Sequence, residues 1–177
     1  MDWITDTRKT GLRVGAAISV IVTLLLTSCI IKYSLTGAST TGLKTVSIQY
    51  FQNRASLVQP GLSQNLTEAL IDKCKSQTNL QLVNGFGDAN FEGEIVDYKT
   101  VTQTISGDAR AAVNRFSIAV KVKFSNSVIP ENSYEMTFSR FEDYDSNLDL
   151  SQVEGELSVK IIEQLVEDIF NRAFVNW

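Results

Sequence analysis

From Phe116 to Phe124 every second residue is large and apolar: Phe116, Ile118, Val120, Val122 and Phe124. That period of two marks a strand with one buried face. It constrains its neighbours. Tyr134, Met136 and Phe138 repeat the pattern after a loop through Pro130, which makes them the strand's hairpin partner. On the other side, Phe91 to about Ile105 is a long β-like run ending at the turn Ser106-Gly107-Asp108-Ala109-Arg110. There Phe91, Gly93 and Ile95 share one face, and Val96 and Tyr98 occupy the other. The alternation slips at Ile95-Val96, the mark of a bulge or of a strand buried on both sides.

The rest of the chain supplies helices and shorter strands. Lys44 to Phe51 alternates, with Val46, Ile48 and Tyr50 on one face and Thr45, Ser47 and Gln49 on the other. Leu62, Leu66, Ala69, Leu70 and Cys74 lie at helical spacing and predict a helix over 62–77. Leu80 to Val83 is a short strand before the turn signal Asn84-Gly85. The final segment is the longest apolar stripe: Val153, Leu157, Ile161, Ile162, Leu165, Val166, Ile169 and Phe170, opened by Ser151 and Glu154 as a capping box. The order β-α-β-β-β-β-α predicts an α+β two-layer sandwich. Two helices pack on one face of a mostly antiparallel sheet of four to five strands. The other sheet face is solvated or meets a partner.

Catalytic chemistry is largely excluded. The 177 residues contain no His, so a Ser-His-Asp triad, a Cys-His pair and a His-ligated zinc site are impossible. Two Cys make neither a disulfide framework nor a four-cysteine metal site. Glu92 and Glu94 share a strand face, where solvated neighbours are far commoner than a catalytic pair. Glu142, Asp143, Asp145 and Asp149 lack the Gly and Glu spacing of a calcium loop. Cys74, on the apolar stripe of its helix, reads as a small buried hydrophobe. No enzyme activity, cofactor or metal is expected, and a net charge of −4 argues against nucleic acid.

Charge is uneven along the chain. Residues 95–130 carry Lys99, Arg110, Arg115, Lys121 and Lys123 against Asp97 and Asp108. Residues 131–177 carry eleven acidic against three basic residues. By strand parity Arg115, Lys121 and Lys123 point away from the buried face, with Arg110 near the hairpin tip. Such a row can hold phosphates or other anions. Cross-strand pairing with Glu135, or plain solvation, is the alternative.

The start of the chain reads as an address. Arg8, Lys9 and Arg13 precede an uncharged run from Val14 to Leu26, too short for a stable span of about 20 residues. Its length suits a secretory signal. Leu26-Thr27-Ser28-Cys29 resembles the lipobox of bacterial lipoproteins. That resemblance implies cleavage before Cys29 and lipidation of its thiol. The expected domains are a signal peptide over 1–28, a lipidated tether over 29–43 and one α/β domain over 44–177. The fourteen residues from Ile30 to Leu43 reach at most about 50 Å, at about 3.5 Å each, which favours work close to the membrane.

A wider resemblance follows. The run from Lys44 to Ala55, the helix positions Leu62-Ser63-Gln64 and Thr67-Glu68-Ala69-Leu70, and Phe91-Glu92-Gly93-Glu94-Ile95 with Tyr98 are together similar to the lipopolysaccharide-assembly lipoprotein family LptE, in its Bacteroidota form. The resemblance implies a helix-on-sheet sandwich anchored on the periplasmic side of the cell outer membrane. It also implies a non-enzymatic plug and assembly aid for the LptD β-barrel that engages lipopolysaccharide. It does not align the family's cations with this chain, so Arg110, Arg115, Lys121 and Lys123 rest on parity and charge alone. A rival reading is an envelope lipoprotein that regulates a peptidoglycan synthase or another periplasmic complex by protein docking.

Overall fold

The structure is a computed structural model. It describes residues 39–56, 59–104 and 112–175. Six strands form one mixed sheet: β1 (Thr45–Ile48), β2 (Gln52–Asn53), β3 (Gln81–Leu82), β4 (Ala89–Thr104), β5 (Ala112–Asn126) and β6 (Tyr134–Asp145). The order across the sheet is β3-β1-β4-β5-β6, with β2 also beside β4. Helices α1 (Leu62–Gln77) and α2 (Leu150–Phe174) cover one face. The α+β sandwich expected from the sequence is therefore present, and its long pairings, β4 with β5 and β5 with β6, are antiparallel. The sheet is mixed, because β1 pairs in parallel with β3 and β4, and β2 in parallel with β4. The helix α1 carries the chain back across the sheet, and a crossover of that kind returns the next strand in parallel.

The long hairpins behave as their alternation requires. Phe116, Ile118, Val120, Val122 and Phe124 are all buried, and β5 pairs with β6 without interruption from Val113/Asp145 to Phe124/Tyr134. At the heart of the core Phe91, Phe124 and Phe174 stack within 4.8–5.8 Å of one another, centroid to centroid. Such offset and edge-on pairs add to what area burial alone contributes.

Two irregularities change the parity read from sequence. In β4 the register with β5 shifts between Ile95 and Asp97, leaving Val96 as the extra residue. The bulge flips the strand, so Tyr98 joins Phe91 and Ile95 in the core instead of lying opposite them. The second lies between β1 and β2. Ile48 pairs with Phe91 and Gln52 with Glu94, so this side holds one residue more than β4 does. The excess turns Phe51 into the core, fully buried, and leaves Tyr50 60% exposed. The alternation had placed Tyr50 with Val46, and the break is why that fails. The freed backbone is not orphaned: the N–H of Phe51 donates to Thr67 Oγ1 at 3.2 Å. Gly93 makes the room, for its missing side chain is where the Phe51 ring passes.

Helix α1 has the limits expected. Helix α2 starts earlier than its apolar stripe: Asp149 is the N-cap, and its backbone N–H donates to Gln152 Oε1 at 3.2 Å. The capping box is thus Asp149/Gln152, not Ser151/Glu154. Glu154 instead accepts the hydroxyl hydrogen of the buried Tyr98 phenol. The helices are tied by Lys73, which pairs with Glu167 and lies 5.6 Å from the Phe170 ring centroid.

Candidate functional site

With both helices on one face, the other face of β4, β5 and β6 stands open among the described residues. Strand parity aims the predicted cations Arg115, Lys121 and Lys123 at it, and the structure places them there. It does not leave them bare. Lys121 Nζ lies 2.7 Å from Glu135 Oε1, and Lys123 Nζ lies 3.8 Å from Glu92 Oε2. Arg115 forks onto Asp143 at 2.8 and 2.9 Å, and its guanidinium lies 3.7 Å from the Phe141 ring centroid. Cross-strand pairing, the alternative weighed from the sequence, is thus realised for all three. In the Lys121–Glu135 and Arg115–Asp143 pairs it shifts the proton affinities of both partners. The bond from Lys121 holds Glu135 below its ordinary pKa and raises Lys121 in turn. Asp143 is lowered by its bond from Arg115.

The three cations do not converge. Six residues separate Arg115 from Lys121, about 20 Å along a strand. Lys121 and Lys123 instead line a shallow groove of about 310 Å3 with Gln49, Tyr50, Gln52, Glu92, Gly93, Glu94 and Glu135. Arg54 reaches its edge, 3.9 Å from Glu94. The groove exists because of the two irregularities: β2 restarts beside Glu94 after the break, and Tyr50 is left standing at the wall. Gln49, Tyr50 and Gln52 were not singled out from sequence. The only signal for them was an aromatic next to another aromatic in an alternating run, with no means to tell which would turn inward. Arg110 and Cys29, with the signal and most of the tether, lie outside the described residues.

The remaining candidates have structural roles. Cys74 is buried, and burial pushes its thiol up to about 12, so it is an inert core residue. Glu142 accepts from Gln164 at 2.6 Å, Asp143 holds Arg115, Asp145 accepts from the Asn147 N–H at 2.8 Å, and Asp149 caps α2. Among the described residues no group of three or more Cys, Asp or Glu side chains is placed to hold a metal ion. None of their helices is long and apolar enough to cross a membrane.

The model of the lipopolysaccharide-assembly family LptE matches residues 43–173. The chain belongs to the LptE family. Members are non-enzymatic, envelope-associated lipoproteins that act with the components of lipopolysaccharide transport. No curated protein matches the sequence. Among solved structures, a hypothetical protein from Chlamydia trachomatis is similar with a TM-score of 0.50 at 12% identity, over 76% of this chain and 99% of that one. A minor lipoprotein from Acinetobacter baumannii has a TM-score of 0.49 at 15% identity, over 73% and 91%. An uncharacterised lipoprotein from Nitrosomonas europaea has 0.43 at 16%, over 72% and 80%. At 12% identity the likeness to the Chlamydia trachomatis protein speaks to the fold alone.

Proposed function

We propose that this LptE-family lipoprotein is cleaved after residue 28, lipidated at Cys29 and held on the periplasmic side of the outer membrane. There it plugs and assists the assembly of an LptD-type β-barrel, and it engages lipopolysaccharide with its open sheet face. The residues proposed to meet lipopolysaccharide are Lys121 and Lys123, with Arg115 and Arg110 further along the same hairpin. One observation carries this reading. A full sheet face stands uncovered among the described residues, and three exposed ion pairs run along it, with Val101 and Phe141 as exposed apolar side chains near Arg115. Such a face suits a polar lumen. Exposed ion pairs are individually weak, so a ligand can exchange with them at low cost.

A tagged copy is recovered from detergent-solubilised outer membranes and its companions are identified. A stoichiometric lipopolysaccharide-exporting barrel is expected. Recovery of a peptidoglycan synthase, or of no barrel, overturns the plug reading. The lipid part is tested apart from it, with the variant Lys121→Glu/Lys123→Glu. Loss of intact lipopolysaccharide binding at an unchanged melting temperature is expected; retained binding removes these residues from the site.

A further inference from the structure

We infer that the groove formed by the β1–β2 connection, β2, β4, β5 and β6 is a saccharide site, taking the uncharged sugar rings of an oligosaccharide rather than a phosphate or an acyl chain. The inference rests on the reading that this face meets lipopolysaccharide, and it names the part of the ligand that is met. An acyl chain needs apolar walls. Tyr50 is the one large apolar surface among the lining residues. A phosphate needs cations in excess. Here Lys121 and Lys123 share the groove with three carboxylates, Glu92, Glu94 and Glu135. Even with Arg54 at the edge the local balance is no better than neutral. An arriving phosphate must displace a carboxylate from lysine and then sit beside it.

A polyol asks for what is present. The amides of Gln49 and Gln52 both donate and accept, the carboxylates accept hydroxyl hydrogens, and the lysines donate to hydroxyl oxygens. The volume of about 310 Å3 is at the low end for small-molecule clefts, room for a short saccharide. Tyr50 supplies a flat apolar ring beside them, suited to the C–H face of a pyranose. That ring is presented, not loose. The N–H of Gln49 donates to the Phe91 carbonyl at 2.9 Å on one side, and Phe51 is fully buried on the other. A platform held on both sides loses little freedom on binding.

The test uses the full chain and three probes: dephosphorylated, deacylated lipopolysaccharide oligosaccharide, inorganic phosphate, and intact lipopolysaccharide in detergent. Binding is followed by calorimetry and by backbone amide shifts. The oligosaccharide is expected to bind, to perturb amides of residues 49–52 and 92–94, and to keep its affinity between about 0.05 and about 0.5 M salt. Tyr50→Ala is expected to weaken it about five- to tenfold, the size of a lost ring stack. Tyr50→Phe keeps the ring and is expected to keep the affinity. Displacement of the oligosaccharide by phosphate, a steep salt dependence, or an unchanged affinity in Tyr50→Ala each overturns the inference. If intact lipopolysaccharide binds while the oligosaccharide does not, the saccharide site is wrong and the wider reading stands. If neither binds, both fall.

Discussion

The packing of Phe51 over Gly93 can be tested with one methyl group. In Gly93→Ala the added carbon would lie 2.5 Å from Cε1 of Phe51 and 2.5 Å from the carbonyl oxygen of Lys121. Neither neighbour yields easily. The ring is fully buried, and the carbonyl belongs to the central strand β5. Overpacking of this kind costs about 1–3 kcal/mol, and with a backbone atom on one side we expect the upper end, about 3 kcal/mol. For a domain of this size that lowers the melting temperature by about 10 °C. Urea unfolding followed by tryptophan-independent circular dichroism measures it. A double-mutant cycle with Phe51→Leu separates the two neighbours, because a smaller side chain relieves only the ring contact. We expect a coupling of at least about 1 kcal/mol. A cost for Gly93→Ala under about 0.5 kcal/mol would refute the close approach. Strict additivity in the cycle would refute the role of the ring, and with it the account of why Tyr50 rather than Phe51 stands in the groove wall.

Three further outcomes are expected. Burial raises the Cys74 thiol from near 9 to about 12, so its contribution is whole below about pH 9 and is lost as pH rises towards 12. Urea titrations from pH 8 to 10 should therefore show stability falling above about pH 9 in the native chain, and a weaker fall in Cys74→Ala; equal slopes would dismiss the buried thiol as the cause. Asp149→Ala should cost about 1 kcal/mol and Ser151→Ala close to nothing, since the first holds the helix N-terminus and the second lies inside the helix. Cys29→Ala should remove the protein from the outer-membrane fraction, and normal fractionation of that variant would exclude lipidation at this residue.

What was legible in the sequence divides along a physical line. Local periodicity showed β5, its hairpin partner and α1 because a buried face repeats every two or every 3.6 residues whatever surrounds it. Parity failed wherever one residue was inserted. The slip at Ile95-Val96 was visible as an anomaly, yet only the register with Val120 and Ala119 shows that Tyr98 ends in the core. The excess at Gln49-Tyr50-Phe51 left no anomaly at all, because both aromatics suit a buried position. The parallel pairing of β1 and β2 escaped for a related reason: it is set by the helix crossover, not by any residue in the strands. For the site, parity aimed Lys121 and Lys123 correctly. The carboxylates that neutralise them come from Glu92 on β4 and Glu135 on β6, and their placement depends on strand register that one strand's pattern does not encode.

The same register decides which charges the groove feels. The sequence places eleven acids after residue 130, five of them on α2 and six before it, and each would repel an anion wherever it had access to one. In the fold α2 lies on the opposite side of the sheet from the groove, and several of its acids are engaged. Glu167 pairs with Lys73, Asp168 with Arg140 at 2.5 Å, and Glu156 with Lys160 at 2.6 Å. Exposed charges more than about 8–10 Å apart are largely screened at physiological salt. The helix therefore contributes little potential on the groove side, and the net charge of the chain is the wrong guide to its ligand. What remains is the local count of Glu92, Glu94 and Glu135 against Lys121, Lys123 and Arg54. A surface balanced at that scale selects by hydrogen-bond geometry and ring contact rather than by charge, and on that ground we propose that the groove prefers a sugar to a phosphate.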